Sequence, residues 1–228
     1  MSADLYSALS GARAAWRQME SIATNVSNAN TAGFKSQRLR FEMFEQNGEA
    51  YVRAEEAPRD MRSGALERTG VPTDLALQGE GFFMVGDGQG TRLTRAGQFV
   101  MGPDGSLNTP DGRPVLGESG AVFIPPGETP RIDETGVIHT EQSGIIDRLR
   151  VVNAAAIPVG NGLWEAQGPI QDVETPHVVQ GAIERSNVDS MTMMVELVEA
   201  SRYFEAFQKA MQTSDELDQR LNQSGGRT

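Results

Sequence analysis

Apolar residues near the start of the chain recur at a helical spacing. Leu5, Leu9, Ala12, Trp16, Met19, Ala23 and Val26 are separated by alternating steps of four and three, the a/d repeat of a coiled-coil seam. No proline interrupts the run, and Gly11 is its only weak interior position. The segment passes into Asn28-Ala29-Asn30-Thr31-Ala32-Gly33, where Gly33 is expected to take the left-handed conformation that closes a helix. At ~1.5 Å per residue such a helix is about 40 Å long. The far end repeats the pattern. Met193, Leu197, Ala200, Phe204, Phe207, Met211 and Ser214 follow the same steps, with Leu217 and Leu221 beyond them. Asp189 or Ser190 suits the N-cap of this second helix.

The middle of the chain reads differently. Residues 34–70 are charged and only patchily apolar, which predicts an extended or short-stranded connector. From 71 to about 180, Asp-Gly, Pro-Gly and Asn-Gly pairs punctuate short apolar runs at Phe82–Val85, Gln98–Met101, Val122–Ile124, Val137–Thr140, Leu149–Val152 and Leu163–Ala166. Short strands between such turns predict an antiparallel body built of hairpins. The expected fold is therefore α+β, with a central antiparallel β-rich domain and terminal α-helices pairing as a coiled coil. Its expected segments are a helix over 1–33, a connector over 34–70, a β-rich domain over 71–180 and a helical segment over 181–228. A single helix is marginal in water, so each end needs a partner for its apolar stripe: the other end of the chain, or the same element in a neighbouring subunit.

Composition sharpens this picture. A hydrophobic fraction of 38% with 22% charged residues is ordinary for a soluble protein. The net charge of −11 and the lack of a basic face argue against nucleic acid and anionic membrane surfaces as partners. Without cysteine, disulfides and thiolate metal sites are excluded. Met1-Ser2-Ala3-Asp4-Leu5 has neither the basic nor the apolar region of a secretory signal peptide, so export, if it occurs, is expected to leave this end intact. No stretch reaches the ~20 apolar residues of a membrane helix.

Candidate chemistry is thin. His139 and His177 are the only histidines and lack metal-ligand spacing. Gly79-Glu80-Gly81 and Gly86-Asp87-Gly88 are followed neither by a helix nor by Lys-Ser/Thr, so they read as hairpin turns rather than a phosphate loop. The expectation is no catalytic residue, no metal, no cofactor and no small-molecule substrate. Met191, Met193, Met194 and Met211 suit either seam packing or an adaptable binding groove.

Three stretches carry a family resemblance. Leu9-Ser10-Gly11, then Ile22-Ala23-Thr24-Asn25-Val26-Ser27-Asn28-Ala29-Asn30-Thr31-Ala32-Gly33-Phe34-Lys35, resembles the N-terminal signature of the bacterial flagellar rod and hook proteins. Thr69 to Phe83, Thr94-Arg95-Ala96-Gly97-Gln98-Phe99 and Pro114-Val115-Leu116-Gly117 resemble that family's central stretches. Gln180-Gly181-Ala182-Ile183-Glu184-Arg185-Ser186-Asn187-Val188-Asp189 before a long helix resembles its closing motif. The resemblance covers nearly the whole chain. It is closer to the proximal rod type than to the distal rod type, the chain being short and its last helix reading Ala200-Ser201-Arg202-Tyr203-Phe204.

The resemblance implies a structural subunit of the basal-body rod, in the periplasm-spanning shaft, delivered by the flagellar type III export apparatus. Implied partners are further copies of itself and the neighbouring rod proteins. Asn25, Asn28, Asn30, Thr31, Gly33, Phe34, Ser186, Asn187 and Val188 fall in the signature segments. Their residue types also suit a helix stop. Two readings from other classes stand beside this one: a secreted β-rich enzyme or binding module with helical tails, and a soluble chaperone or cap for partner helices.

Overall fold

A computed structural model describes residues 3–46, 49–88 and 90–225. The fold is α+β, with two long helices and antiparallel sheets. The chain divides into two compact units. One comprises 1–29, 36–60 and 188–228, and the other 30–35 and 61–187.

The first unit holds α1 (Ala3–Ser27), α2 (Ser190–Gly225) and a hairpin of β1 (Arg38–Gln46) and β2 (Glu49–Ala57). The hairpin occupies the expected connector. Its strands are nine residues each, paired from Arg38↔Ala57 to Gln46↔Glu49. The outer edge of β2 bonds to α1 side chains. Ser7 Oγ donates to the Ala50 carbonyl at 2.8 Å, the Val52 amide donates to Ser10 Oγ at 3.1 Å, and Arg17 donates to the Ala54 carbonyl at 2.8 Å. These polar side chains satisfy backbone groups that an open strand edge would leave unpaired.

The two helices run antiparallel. Asn25 meets Met193 near one end, the Trp16 and Phe204 rings lie 5.7 Å apart in the middle, and Gly11 faces Phe207. A Cβ on Gly11 would collide with the Phe207 ring, so this glycine admits the aromatic side chain against the α1 backbone.

The helix boundaries differ from expectation. α1 stops at Ser27, because Asn28 turns the chain: its amide bonds the Thr24 and Asn25 carbonyls, and its side chain donates to the Thr24 carbonyl at 2.9 Å. Gly33 has a φ of 67° but lies past the helix, so it does not close it. Residues 182–184 are a strand, and α2 begins only at Ser190. Asp189 caps it, accepting from the Met191 amide at 3.1 Å and the Thr192 hydroxyl at 2.6 Å.

The second unit is the β body. Its main sheet has six strands in the order Ala156–Gly160, Leu163–Ala166, Thr91–Thr94, Phe82–Gly86, Val151–Asn153 and Gln171–Asp172, each antiparallel to its neighbour. The continuous apolar run Phe82-Phe83-Met84-Val85 follows from its place in this sheet. Phe83 and Val85 face one core with Leu75, Leu77, Phe99, Leu107 and Ile138, while Phe82 and Met84 face another with Leu93, Val152 and Trp164. A strand covered on both faces has no polar side to alternate with. The expected strands at Val137–Thr140 and Leu163–Ala166 form with those bounds. Val122–Ile124 makes only isolated bridges, yet Val122 and Ile124 are buried.

Candidate functional site

The features bearing on function lie in the two units separately: an ion cluster at the heart of the β body, and the surface of the helix–hairpin unit.

The cluster is centred on Glu184, which the strand Ala182–Glu184 holds through its pairing with Leu66–Arg68. Alternation along this strand turns Ala182 and Glu184 inward. Glu184 Oε1 accepts from Lys35 Nζ at 2.6 Å and from the Gly64 amide at 3.0 Å, and Oε2 accepts from Arg95 Nε at 3.0 Å. The remaining donors also find acceptors. Lys35 Nζ bonds the Arg62 carbonyl at 3.0 Å, and Arg95 bonds the Gly81 carbonyl at 2.7 Å. All three side chains are about as buried as the deepest core residues, at 1% exposure each. Burial pulls the Arg95 guanidinium below its ordinary pKa, and the Glu184 charge and hydrogen bond pull against that. An arginine in this setting stays cationic. The cluster therefore sets two basic side chains against one carboxylate away from water, with the Arg62 and Gly81 carbonyls accepting from the donors that Glu184 does not engage.

Each member comes from a different quoted stretch: Lys35 ends the N-terminal signature, Arg95 lies in the central one, and Glu184 in the closing one. The backbone approaches closely here. The Gly33 amide donates to the Glu184 carbonyl at 2.8 Å, and a Cβ on Gly33 would strike the Arg95–Ala96 backbone. The Arg185 guanidinium donates to Asn30 Oδ1 at 3.1 Å, the Asn187 amide donates to the Phe34 carbonyl at 3.4 Å, and its side chain donates to the Arg62 carbonyl at 3.0 Å. Asn30, Gly33, Phe34 and Asn187 thus belong to one tie between distant parts of the body, with Thr31 beside them accepting from the Phe34 amide and Ser186 buried next to Asn187 in sequence. Asn25 and Asn28 belong to the end of α1, and Val188 leads into α2. Asn25 is buried and clamps the backbone of Gln37, donating to its carbonyl at 2.9 Å and accepting from its amide at 2.7 Å. Sequence reasoning named the stretches but not this convergence. The available signal was a long charged residue next to small or apolar ones: Lys35 after Gly33-Phe34, Arg95 before Ala96-Gly97, and Glu184 after Ala182-Ile183.

The helix–hairpin unit carries the other candidate residues. On α2, Ala200 is fully buried, and Met193, Leu197, Phe204, Phe207, Met211 and Ser214 are half-buried, while most positions between them are exposed. On α1 the covered positions form a broader arc: Gly11, Ala12, Ala14, Ala15, Ser21, Ile22 and Asn25 are buried, with Met19 and Val26 half-buried. Leu9, Trp16 and Ala23 are exposed in the single chain, Trp16 at 50%. α1 has two neighbours, α2 and the hairpin, so its covered arc is wider than one seam and centred one position away from the 9, 16, 23 row. The side chains of Leu5 and Leu221 lie outside the described residues.

Among the described residues of this unit, and apart from Ile22, the buried apolar ones are alanines: Ala12, Ala14, Ala15, Ala54 and Ala200. Many of its large ones are exposed, among them Tyr6, Leu9, Trp16, Phe41, Met43, Met191, Val195, Val198 and Tyr203, and others, such as Leu197, Phe204 and Phe207, are half-buried. Met191 reaches 81% exposure. A unit that buries alanine and displays aromatic and branched side chains is incomplete as a free body. His139 sits 3.6 Å from Asp133 at the body surface, and His177 is an exposed strand residue. Among the described residues no cluster of three or more metal-binding side chains occurs.

Comparison with known proteins places this architecture. Residues 5–35 match the flagella basal body rod protein family, residues 76–145 the FlgE/F/G D1 domain of flagellar hook proteins, and residues 179–224 the C-terminal region of the flagellar basal body rod FlgEFG proteins. The chain is 31% identical over 242 aligned positions to the flagellar basal-body rod protein FlgF of Mesorhizobium japonicum, with both chains covered in full. It is 29% identical to FlgF of Escherichia coli, with 96% of each chain covered. To the flagellar basal-body rod protein FlgG of Bacillus subtilis it is 30% identical, covering 95% of this chain and 97% of that one. Three segments matched in order and a full-length relative above thirty per cent identity give one conclusion: the chain belongs to the flagellar basal-body rod protein family.

Proposed function

We propose that this chain is an FlgF-type, proximal-rod subunit that polymerises through its terminal helices, paired as a coiled coil, into the torque-transmitting shaft of the flagellum. The observation that carries this reading is the apolar pattern of the helix–hairpin unit: mainly alanine fully buried, and many large side chains exposed or only half-covered. Assembly supplies the missing cover. Burial of such surface contributes about 25 cal/mol per Å², opposed by the entropy of ordering the side chains involved. The β body, closed around its own cores, forms the outer layer and does not depend on neighbours for its fold. The role is structural rather than catalytic, with no cofactor. Its partners are copies of itself, adjoining rod proteins, and the type III flagellar export apparatus that delivers it to the basal body.

An FlgG-type, distal-rod role is the second reading, favoured by the full-length likeness to FlgG of Bacillus subtilis. Labelling the chain along purified rods separates the two by position.

Replacing Leu197 and Phe204 with Asp tests the polymerisation reading. The expected outcome is a subunit whose β body melts as before but which no longer enters basal bodies. Normal incorporation of that variant would sink the proposal.

A further inference from the structure

The helix–hairpin unit contains a groove that its own chain leaves open. One wall is α1, with Tyr6, Leu9 and Arg13. The other is the hairpin, with Phe44, Tyr51 and Arg53. Tyr6 and Leu9 are exposed. The Phe44 and Tyr51 rings stack at 5.5 Å, and the Arg53 guanidinium lies 5.1 Å from the Phe44 ring centre, bonded to Glu55 at 3.2 Å. The groove thus has an apolar floor and a rim of arginines, Arg17 among them, against one carboxylate among the described residues that line it, Glu55. That chemistry suits an amphipathic helix with leucine on one side and acidic residues beside it.

The same unit ends in such a helix. α2 has 36 residues and α1 has 25. Their antiparallel register sets Trp16 against Phe204 and Gly11 against Phe207. Continued outward, it leaves the end of α2 running past Ala3 by roughly ten residues, about 15 Å at 1.5 Å each. Leu217, at the start of this overhang, is exposed. The sequence there is Asp215-Glu216-Leu217-Asp218-Gln219-Arg220-Leu221, which spaces two leucines one helical turn apart and sets three carboxylates against one arginine.

We propose that the groove between α1 and the hairpin receives the acidic end of α2 from a second copy of this chain. The contact is heterologous, since groove and helix end are different surfaces, and it repeats from copy to copy instead of closing a pair. It rests on the polymerisation reading above and adds to it a direction and a partner segment. The α2 end cannot serve its own groove. Along the helix axes Leu217 lies roughly 10 Å beyond the position opposite Leu9, and the axes themselves are about 8–10 Å apart.

The absence of native cysteine gives a clean test. Full-length chains carrying Leu9→Cys with Leu217→Cys, or either alone, are expressed in the bacterium in place of the unmodified chain. Basal bodies are then purified, oxidised and run without reductant. The intramolecular separation exceeds the ~7 Å Cα limit for a disulfide, so only contacts between copies can bridge. The expected result is a ladder of dimers and higher multiples for the double variant, none for either single variant, and collapse with reductant. In the same background Arg13→Glu is expected to cut the ladder about tenfold and Glu216→Lys to restore it, because like charges in register repel and the swap re-pairs them.

A double variant that enters basal bodies but stays monomeric overturns the groove assignment while leaving the polymerisation reading intact. A bridged product containing a different rod protein overturns the second copy as the occupant. Absence of the unmodified chain from basal bodies overturns the rod reading itself and this contact with it.

Discussion

The β body and the helix–hairpin unit use the same residue types in opposite ways. The body encloses Phe82, Phe83, Phe99, Leu75, Leu77, Leu107, Ile138 and Trp164, and it buries even its Lys35–Glu184–Arg95 cluster. The helix–hairpin unit encloses mainly alanine and leaves Trp16, Met43, Met191, Val195 and Tyr203 outside. One region has completed its packing and the other has not. Close approach of backbones, through Gly11 and the alanines, fixes how α1 and α2 pair, and the large side chains are left for other contacts. Stability and assembly are thereby assigned to different residues of one chain, so substitutions should separate them.

The largest separation is expected at Glu184. Removing its carboxylate leaves Lys35 and Arg95 buried without an anion, and breaking a buried pair from one side costs about 3–5 kcal/mol. For a chain of this size Glu184→Ala should lower the body's melting temperature by roughly 10 °C, read by calorimetry on the purified subunit. The contrast with Leu197→Asp/Phe204→Asp is the point: one variant melts early, the other melts normally and fails to assemble. If Glu184→Ala melted like the unmodified chain, the cluster would not be what ties the body together.

A smaller effect of the same kind is expected at Gly33. Its φ of 67° is disfavoured for a residue with a side chain, and an added methyl meets the Arg95–Ala96 backbone, which has little room to yield. Gly33→Ala should cost about 1–3 kcal/mol of body stability, measured by urea unfolding. Helix content should be unchanged, because α1 already ends at Ser27. A loss of helical signal with the body intact would return Gly33 to the role of a helix stop.

That distinction marks where the sequence was legible. On α2 the spacing from Met193 to Ser214 falls on the positions that the structure covers, because α2 has one main neighbour and one stripe describes it. On α1 the same spacing selected Leu9, Trp16 and Ala23, which are exposed, because two neighbours cover a broad arc of small residues that hydropathy barely registers. Val137–Thr140 and Leu163–Ala166 were readable from their flanking turns, and Phe82–Val85 from its unbroken apolarity. The hairpin at 38–57 escaped because Phe41, Met43 and Phe44 are exposed, so burial does not sort its residues into an inner and an outer face. The ion cluster escaped for a different reason. Its members are 60 and 89 residues apart along the chain, Lys35 to Arg95 and Arg95 to Glu184, and no local pattern encodes a meeting at that range.

The smallest effect belongs to the exposed start of α2, and it tests how far the helix unit depends on local signals. Asp189 is held below its ordinary pKa first by the Thr192 hydroxyl and then by the Met191 amide, both of which bond its charged form. A carboxylate whose folded pKa is depressed stabilises the folded state above its unfolded value, near 3.9 for Asp. That contribution disappears as pH falls through the lower, folded value. Asp189→Asn retains a side-chain oxygen for the cap and loses the charge, whereas Asp189→Ala loses both. Far-UV circular dichroism of the free subunit at neutral pH should therefore fall slightly for Asp189→Ala and less for Asp189→Asn. On acidification the unmodified chain should lose its small advantage over Asp189→Asn. Packing against α1 begins at Met193, so the loss should stay within the first turn of α2; fraying that spread along the helix would mean that α2 is held by its cap rather than by α1.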